Sequence, residues 1–297
     1  MKRALITGGN SGIGFETALE LAKQGYEIVL PARSLEKAEG AKGRILKKAP
    51  TAVIHTAMMD LASLKSIQSF GKWFGERFPK NSLDLLINNA GVMAVPQREL
   101  TVDGYERQFA TNYLGPFLLT ALLYPYMKQE IGSRIVVVSS SANKWAKIEF
   151  DNLQSERKYV AMWQAYGQSK LADSIFALEL QRRLERAGSP ILVTTAHPGY
   201  AITNLQTSGP GEGSRLTRAM NVMRPFMSHD AKSGAQPTLY AALSEDAAPG
   251  GYYGPKGLFE LKGAPGPVAI PQRAQDAAVA KRLWMESERL VGMEFEV

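Results

Sequence analysis

Five residues, Tyr166-Gly167-Gln168-Ser169-Lys170, carry the strongest chemical signal in the sequence. They open a segment whose apolar residues recur at helical spacing: Leu171, Ile175 and Leu178, with Phe176, Leu180 and Leu184 widening the same face. On a helix, Tyr166 and Lys170 stand four positions apart and share one face. An ammonium beside a phenol favours the phenolate and lowers the tyrosine pKa toward working pH. Such a pair gives or takes a proton while hydride moves to or from an adjacent carbon. The same spacing also arises where two side chains merely face solvent, so other polar residues must converge there for chemistry to follow.

Several do end apolar runs in a way that allows it. Arg134–Val138 is followed by Ser139-Ser140-Ser141, and Leu83–Ile87 by Asn88-Asn89-Ala90-Gly91. In a doubly wound sheet, ligands lie beyond the carboxyl ends of the strands, where one of these hydroxyls would hold a substrate oxygen beside Tyr166. A polar strand-to-loop transition is the plainer alternative. Asn112 sits inside a helical segment, where it either bends the helix or holds water.

The first apolar run, Ala4–Ile6, leads into Thr7-Gly8-Gly9-Asn10-Ser11-Gly12-Ile13-Gly14 and then the helical pattern Phe15–Gln24. Glycines there permit positive φ and close approach of main chain to a diphosphate. The following helix N-terminus supplies free N–H groups and the positive end of its dipole. Gly8, Asn10, Ser11, Gly12, Ile13 and Gly14 are therefore candidate phosphate contacts. Their spacing, Gly-x-x-x-Gly-x-Gly, differs from the commoner Gly-x-Gly-x-x-Gly. The second run, Glu27–Leu30, ends at Pro31-Ala32-Arg33-Ser34. A carboxylate at this point would hold two ribose hydroxyls and repel a 2′-phosphate, whereas Arg33 offers a guanidinium to that phosphate. That predicts NADP(H) over NAD(H); a solvated arginine at a helix start is the alternative.

These residues need a scaffold that gathers strand ends and helix starts on one edge. The runs Ala4–Ile6, Glu27–Leu30, Ala52–His55, Leu83–Ile87, Arg134–Val138 and Ile191–Thr195 alternate with helical patterns such as Ile67, Phe70, Phe74 and Phe78. The alternation predicts an α/β, Rossmann-type doubly wound parallel sheet with helices on both faces, read as a single domain over 1–297. The strands are nearly continuous in apolar character, as doubly covered strands are. An insert is expected at 141–165, and a substrate lid at about 200–233, where Gly209-Pro210-Gly211-Glu212-Gly213 breaks the rhythm. Residues 249–271 are rich in Gly and Pro, and a last helix is expected from Gln275 to Leu290 on Ala277, Ala280 and Trp284. Trp145, Met162 and Trp163 either line a pocket mouth or pack the insert.

The 297 residues are 45% hydrophobic and 21% charged, enough to bury a sizeable core. With no cysteine, disulfides, thiolate metal sites and cysteine nucleophiles are excluded. The net charge of +7 is scattered and carries no recognition motif, so an anionic small molecule is expected as partner rather than nucleic acid. His55, His197 and His229 are widely spread, and no metal site is expected. Met1-Lys2-Arg3 leaves no room for a signal peptide before the first turn, and Pro116–Met127 is too short to span a bilayer. A cytoplasmic location, with no membrane partner, is expected.

Taken in order, Thr7 to Gly14, Asp60-Leu61, Asn88 to Gly91, Asn112, Ser140, Tyr166, Lys170 and Pro198-Gly199 resemble the classical short-chain dehydrogenase/reductase family over nearly the whole chain. Asn112-Tyr113-Leu114-Gly115-Pro116-Phe117, Asn152 to Tyr159 and Ala196-His197-Pro198-Gly199 look like its retinol-dehydrogenase-like group, which includes the WW-domain oxidoreductases. The membrane-anchoring N-terminal segment of animal retinol dehydrogenases and the cysteines of protochlorophyllide reductases are not found. The group's substrates are therefore not carried over. The resemblance implies Tyr166 as general acid/base and Lys170 on the nicotinamide ribose. It implies Ser140 on the carbonyl oxygen, as second serine of a pair after the fifth strand, and Asn112 on a relay water. It also places Asp60, with Leu61, at the adenine, Asn88, with Ala90 and Gly91, on the adenosine ribose side, and Pro198-Gly199 with Thr203 at the nicotinamide amide.

The expected activity is hydride transfer between NADP(H) and a carbonyl or alcohol group of a fairly bulky apolar substrate, with no metal. A non-catalytic NADP-sensing protein on the same fold is the alternative, although such proteins usually lose the Tyr or Lys. Many classical members pair through the two long helices beside the active site. Trp145, Phe150, Tyr159 and Trp163 of the insert need somewhere to bury their area. If they cover the outer face of the catalytic helix, a monomer results; if they build a new interface, a homodimer does. The monomer is favoured.

Overall fold

The apolar runs form strands covered on both faces, and the amphipathic stretches between them form the helices that cover them. The computed structural model describes residues 1–200 and 230–297. Its first half comprises β1 (Arg3–Ile6), α1 (Gly12–Lys23), β2 (Glu27–Ala32), α2 (Leu35–Lys48), β3 (Ile54–Met58), α3 (Leu64–Arg77) and β4 (Leu85–Asn88). There follow α4 (Arg107–Phe109), a π-helical turn (Ala110–Leu114), α5 (Gly115–Leu123), β5 (Arg134–Val138), α6 (Gly167–Arg186) and β6 (Leu192–Ala196). The C-terminal part holds α7 (Ala231–Leu243), β7 (Tyr252–Pro255), β8 (Pro265–Pro267) and α8 (Ala277–Val291). Among the described residues no helix is long and apolar enough to cross a membrane. Most of the expected lid, including Thr203, lies outside the described residues, as does His229.

The strand order is β3-β2-β1-β4-β5-β6-β7-β8. The pairs from β3 through β7 are parallel, and β8 adds an antiparallel edge with Gly254 opposite Gly266. The order turns back between β1 and β4, so their carboxyl ends border the crevice where such sheets bind ligands. Side chains alternate across each strand and feed two cores. Leu5, Val29, Leu86, Ile135 and Val137 face α3, α5, α6 and α8, while Ile6, Ile28, Leu30, Ile87 and Val136 face α1, α2 and α7.

Sequence reading places β5 to the residue and misses β7 and β8, which lie in the Gly- and Pro-rich 249–271 stretch. The last helix begins two residues later than expected because the Asp276 carboxylate caps it, accepting from the N–H groups of Ala278 and Val279. Ala277 lies outside its buried face, which is made by Ala280, Leu283, Trp284, Ser287 and Val291. Trp284 packs on Phe117 at 5.1 Å and on Phe176 at 5.9 Å, and Phe295 of the tail closes on Trp284 at 5.1 Å. The outer side of the α5–α6 pair is thus covered by the C-terminal helix and tail.

The expected insert behaves differently from its sequence expectation. It starts with a 3-10 turn, Ser141–Trp145, and ends in a π-helical turn, Ala161–Tyr166. Trp145 and Trp163 are 75% and 61% exposed, so they do not pack the insert. Phe150 is partly buried against the core, beneath the guanidinium of Arg282 at 4.0 Å.

Candidate active site

The glycine turn sits between β1 and α1 as an uncapped helix N-terminus. Gly8 adopts φ +69°, and a Cβ at Gly14 would collide with the Gly8 carbonyl oxygen and the Asn89 amide. Ser11 is the N-cap residue but makes no side-chain cap bond, so the first-turn N–H groups remain free of a side-chain partner. Helix N-terminal donors beside a tightly closed turn suit a diphosphate. The turn is braced from both sides. Thr7 Oγ1 accepts from Asn89 N (3.0 Å) and Ala90 N (2.9 Å), and Asn89 Nδ2 donates to Thr7 O at 2.9 Å. Arg44 of α2 donates to Asn10 O at 2.7 Å while lying over Phe15 at 4.1 Å. Gly9 and Arg44 carried no expected role; a cation one helix away has no sequence signature at the turn.

Arg33 ends β2 fully in solvent reach and makes no side-chain hydrogen bond or ion pair among the described residues. Asp60 turns its carboxylate onto Ala62 N at 2.9 Å, and Leu61 is buried in the core. The structure does not bring the Asn88 side chain to the turn. It is buried, and Nδ2 donates to Thr120 Oγ1 of α5 at 2.9 Å; its neighbour Asn89 faces the glycines instead. Strand alternation sends consecutive side chains to opposite faces, which the paired asparagines conceal in sequence.

Tyr166 closes the Ala161–Tyr166 π-turn, and Lys170 lies one turn into α6; both side chains are buried. Lys170 Nζ donates to Val138 O at the end of β5 (2.9 Å) and pairs with Asp173 Oδ2 (2.8 Å). Asn112 stands in the other π-turn, a feature frequent at functional sites. Its amide is held by Val92 N (2.7 Å), Val92 O (2.9 Å) and Ser169 Oγ (2.9 Å). Gly91 brings the β4 loop onto this group: a Cβ there would lie 3.1 Å from Asn112 Oδ1 and 3.7 Å from Lys170 Nζ.

The serines after β5 differ in their surroundings. Ser139 is buried, donates to Lys170 O at 2.7 Å and takes Asn143 and Ser174 as partners. Ser140 is partly exposed and caps the 141–145 turn, accepting from Ala142 N at 3.3 Å. Pro198-Gly199 follows β6, and Gly199 N reaches His197 Nδ1 at 3.3 Å. His197 is completely buried, with Nε2 3.0 Å from Glu260 Oε2 though out of hydrogen-bond alignment. Lys144 Nζ lies 2.7 Å from the same oxygen. Contact with the His197 imidazole and with the Lys144 ammonium holds the Glu260 carboxyl down at about 2, well below its ordinary value. Glu260 thereby ties the turn after Ser140 to the loop holding Pro198 and Gly199, from a backbone at φ +56°. Sequence reading had no signal for Glu260. Among the described residues no group of three His, Cys, Asp or Glu is placed to hold a metal ion.

The short chain dehydrogenase family matches residues 2–210. The chain belongs to that family. It is an oxidoreductase of the retinol-dehydrogenase-like group: it is 41% identical over 298 residues to retinol dehydrogenase 13 of Homo sapiens, covering 99% of this chain and 85% of that one. A crystal structure of an uncharacterised protein from Mycobacterium paratuberculosis is 38% identical and superimposes with TM-score 0.81, covering all of this chain and 96% of that one. A short chain dehydrogenase of Burkholderia cenocepacia in complex with NADP, 24% identical, has TM-score 0.65 over 84% of this chain and 94% of that one, a likeness of fold.

Proposed function

We propose that the protein is an NADP(H)-dependent reductase or dehydrogenase that interconverts a carbonyl and an alcohol on a fairly bulky apolar substrate. One observation carries the reading. Tyr166, Lys170, Asn112 and Gly91 converge at the carboxyl ends of β4 and β5, with the partly exposed Ser140 on the next loop. When bound, the nicotinamide supplies or accepts the hydride. Tyr166 gives its phenolic proton to the developing alkoxide in reduction and takes it back in oxidation. Ser140 Oγ orients the same oxygen. Lys170 holds a positive charge beside the phenol and offers N–H donors to a ribose, while Asn112 fixes the β4 loop against α6. The glycine turn and the α1 N-terminus take the diphosphate. Arg33, unpaired in the described structure, takes the 2′-phosphate.

A panel of ketones, aldehydes and secondary alcohols assayed with NADPH and NADP, and in parallel with NADH and NAD, tests the reading. Turnover with NADPH on apolar carbonyls is expected. No turnover of any panel member with either cofactor pair, in protein shown to bind NADPH, contradicts it.

A further inference from the structure

The Tyr166–Lys170 pair has a third ionisable neighbour that the reaction as described does not use. Asp173 lies three residues along α6, is 1% exposed, and places Oδ2 2.8 Å from Lys170 Nζ. Its other oxygen, Oδ1, has no hydrogen-bond partner among the described residues. Burying two ions costs several kcal/mol per ion, and apolar residues of similar volume often serve a core as well or better. Asp173 is surrounded along α6 by Leu171, Ala172, Ile175 and Phe176, all buried, so packing alone does not call for a carboxylate. What the carboxylate does provide is a counter-charge for a lysine that is otherwise met only by the Val138 carbonyl.

We propose that Asp173 is a positioning residue that keeps the buried Lys170 charged, and directed to the end of β5, through the pH range in which Tyr166 transfers its proton. This rests on the reading of Tyr166 as proton donor. Burial lowers the Lys170 pKa and Asp173 raises it, with the net effect above the ordinary value. Burial pushes the Asp173 carboxyl above its ordinary value, against the pull of Lys170. The groups facing the pair from other elements are phenols. Tyr113 of the 110–114 turn is bonded to Ser287, and Tyr252 of β7 is bonded to Asn143; burial raises both above the ordinary tyrosine range. Glu260 acts beyond Tyr252, where its carboxylate meets His197 and the Lys144 ammonium. Asp173 is therefore the counter-charge in direct contact with Lys170.

The test is the pH profile of kcat/KM for carbonyl reduction with NADPH. Removing the neighbouring negative charge lowers the pH at which Lys170 loses its proton. Asp173→Asn and Asp173→Ser are expected to move the alkaline limb down by about one pH unit or more, while Asp173→Glu restores it. NADPH affinity, read by cofactor fluorescence without turnover, is expected to weaken roughly ten-fold in the two neutral variants at the pH where the limb falls. A residue that merely packs would lower kcat or Tm and leave the limb in place. An unmoved limb in a folded neutral variant overturns the proposal. Failure of both neutral variants to fold assigns Asp173 to stability and overturns it equally. Full turnover in Tyr166→Phe defeats the proton-donor reading instead, which keeps the two failures apart.

Discussion

Arg33 stands exposed at the end of β2 with no acidic residue paired to it among the described residues. Its charge is open to a phosphate, and a charge-assisted contact of that kind is worth about 1.5–3 kcal/mol. A preference for NADPH over NADH of roughly ten-fold or more in kcat/KM follows, and Arg33→Asp should weaken or reverse it. Equal kcat/KM for the two cofactors in the parent protein contradicts that assignment. On the proposed reading Lys170 has two tasks, at the ribose and at the phenol, and Lys170→Ala is then expected to raise the NADPH Kd and lower kcat together. Loss of only one of the two would show that the lysine has a single task. Glu260 makes a pH prediction. Its folded pKa of about 2 lies below the value near 4.3 expected of an unfolded chain. The stability it contributes is therefore present above pH about 4 and lost as the pH falls through about 2. Thermal melts across that window should show the gap between parent and Glu260→Gln closing, and a gap independent of pH there contradicts the pairing. Ser140 was chosen within the run of three serines on the family's serine pair alone; the structure sets it apart from the buried Ser139, whereas Ser141 is partly exposed as well. The role split between Asn88 and Asn89 was not legible, because alternation depends on where β4 stops.

At the scale of elements, the sequence showed the first six of the seven parallel strands as apolar runs and the helix carrying Lys170 by its apolar period. It did not show the π-helical turns at Ala110–Leu114 and Ala161–Tyr166, each a single short turn with no residue signature of its own. Nor did it show β7 and β8. Their residues are Tyr, Gly and Pro at a sheet edge, where Pro is tolerated and no apolar run is needed. The C-terminal helix α8 was legible, but its partner surface was not. Trp284 is 2% exposed and meets Phe117, Phe176 and Phe295, with the Arg183 guanidinium 3.9 Å from its ring. Trp284→Ala is expected to cost about 3–5 kcal/mol. Denaturant melts should show the midpoint falling with little change in slope; a cost under about 1 kcal/mol would mean that α8 is loosely docked.

For the whole molecule, the outer side of α5 and α6 decides assembly. Many classical members of the family are expected to pair through that side, and here α8 with Phe295 lies across it, while Trp145 and Trp163 of the 141–165 segment stay in solvent. We expect a monomer, by a different cover from the one the sequence suggested. Light scattering should give a mass near 32.5 kDa at low micromolar concentration, and a stable mass near twice that contradicts the expectation. The reaction itself is a property of the assembled crevice, and Tyr166→Phe isolates it. That change removes the proton donor and leaves the glycine turn, Arg33 and Lys170 in place. On a carbonyl that the parent reduces with NADPH, the variant should bind NADPH with nearly the parent's Kd and lose almost all of kcat, on the order of a hundred-fold or more. Substantial turnover in Tyr166→Phe at saturating NADPH would contradict the assignment of Tyr166 as the group that moves the proton.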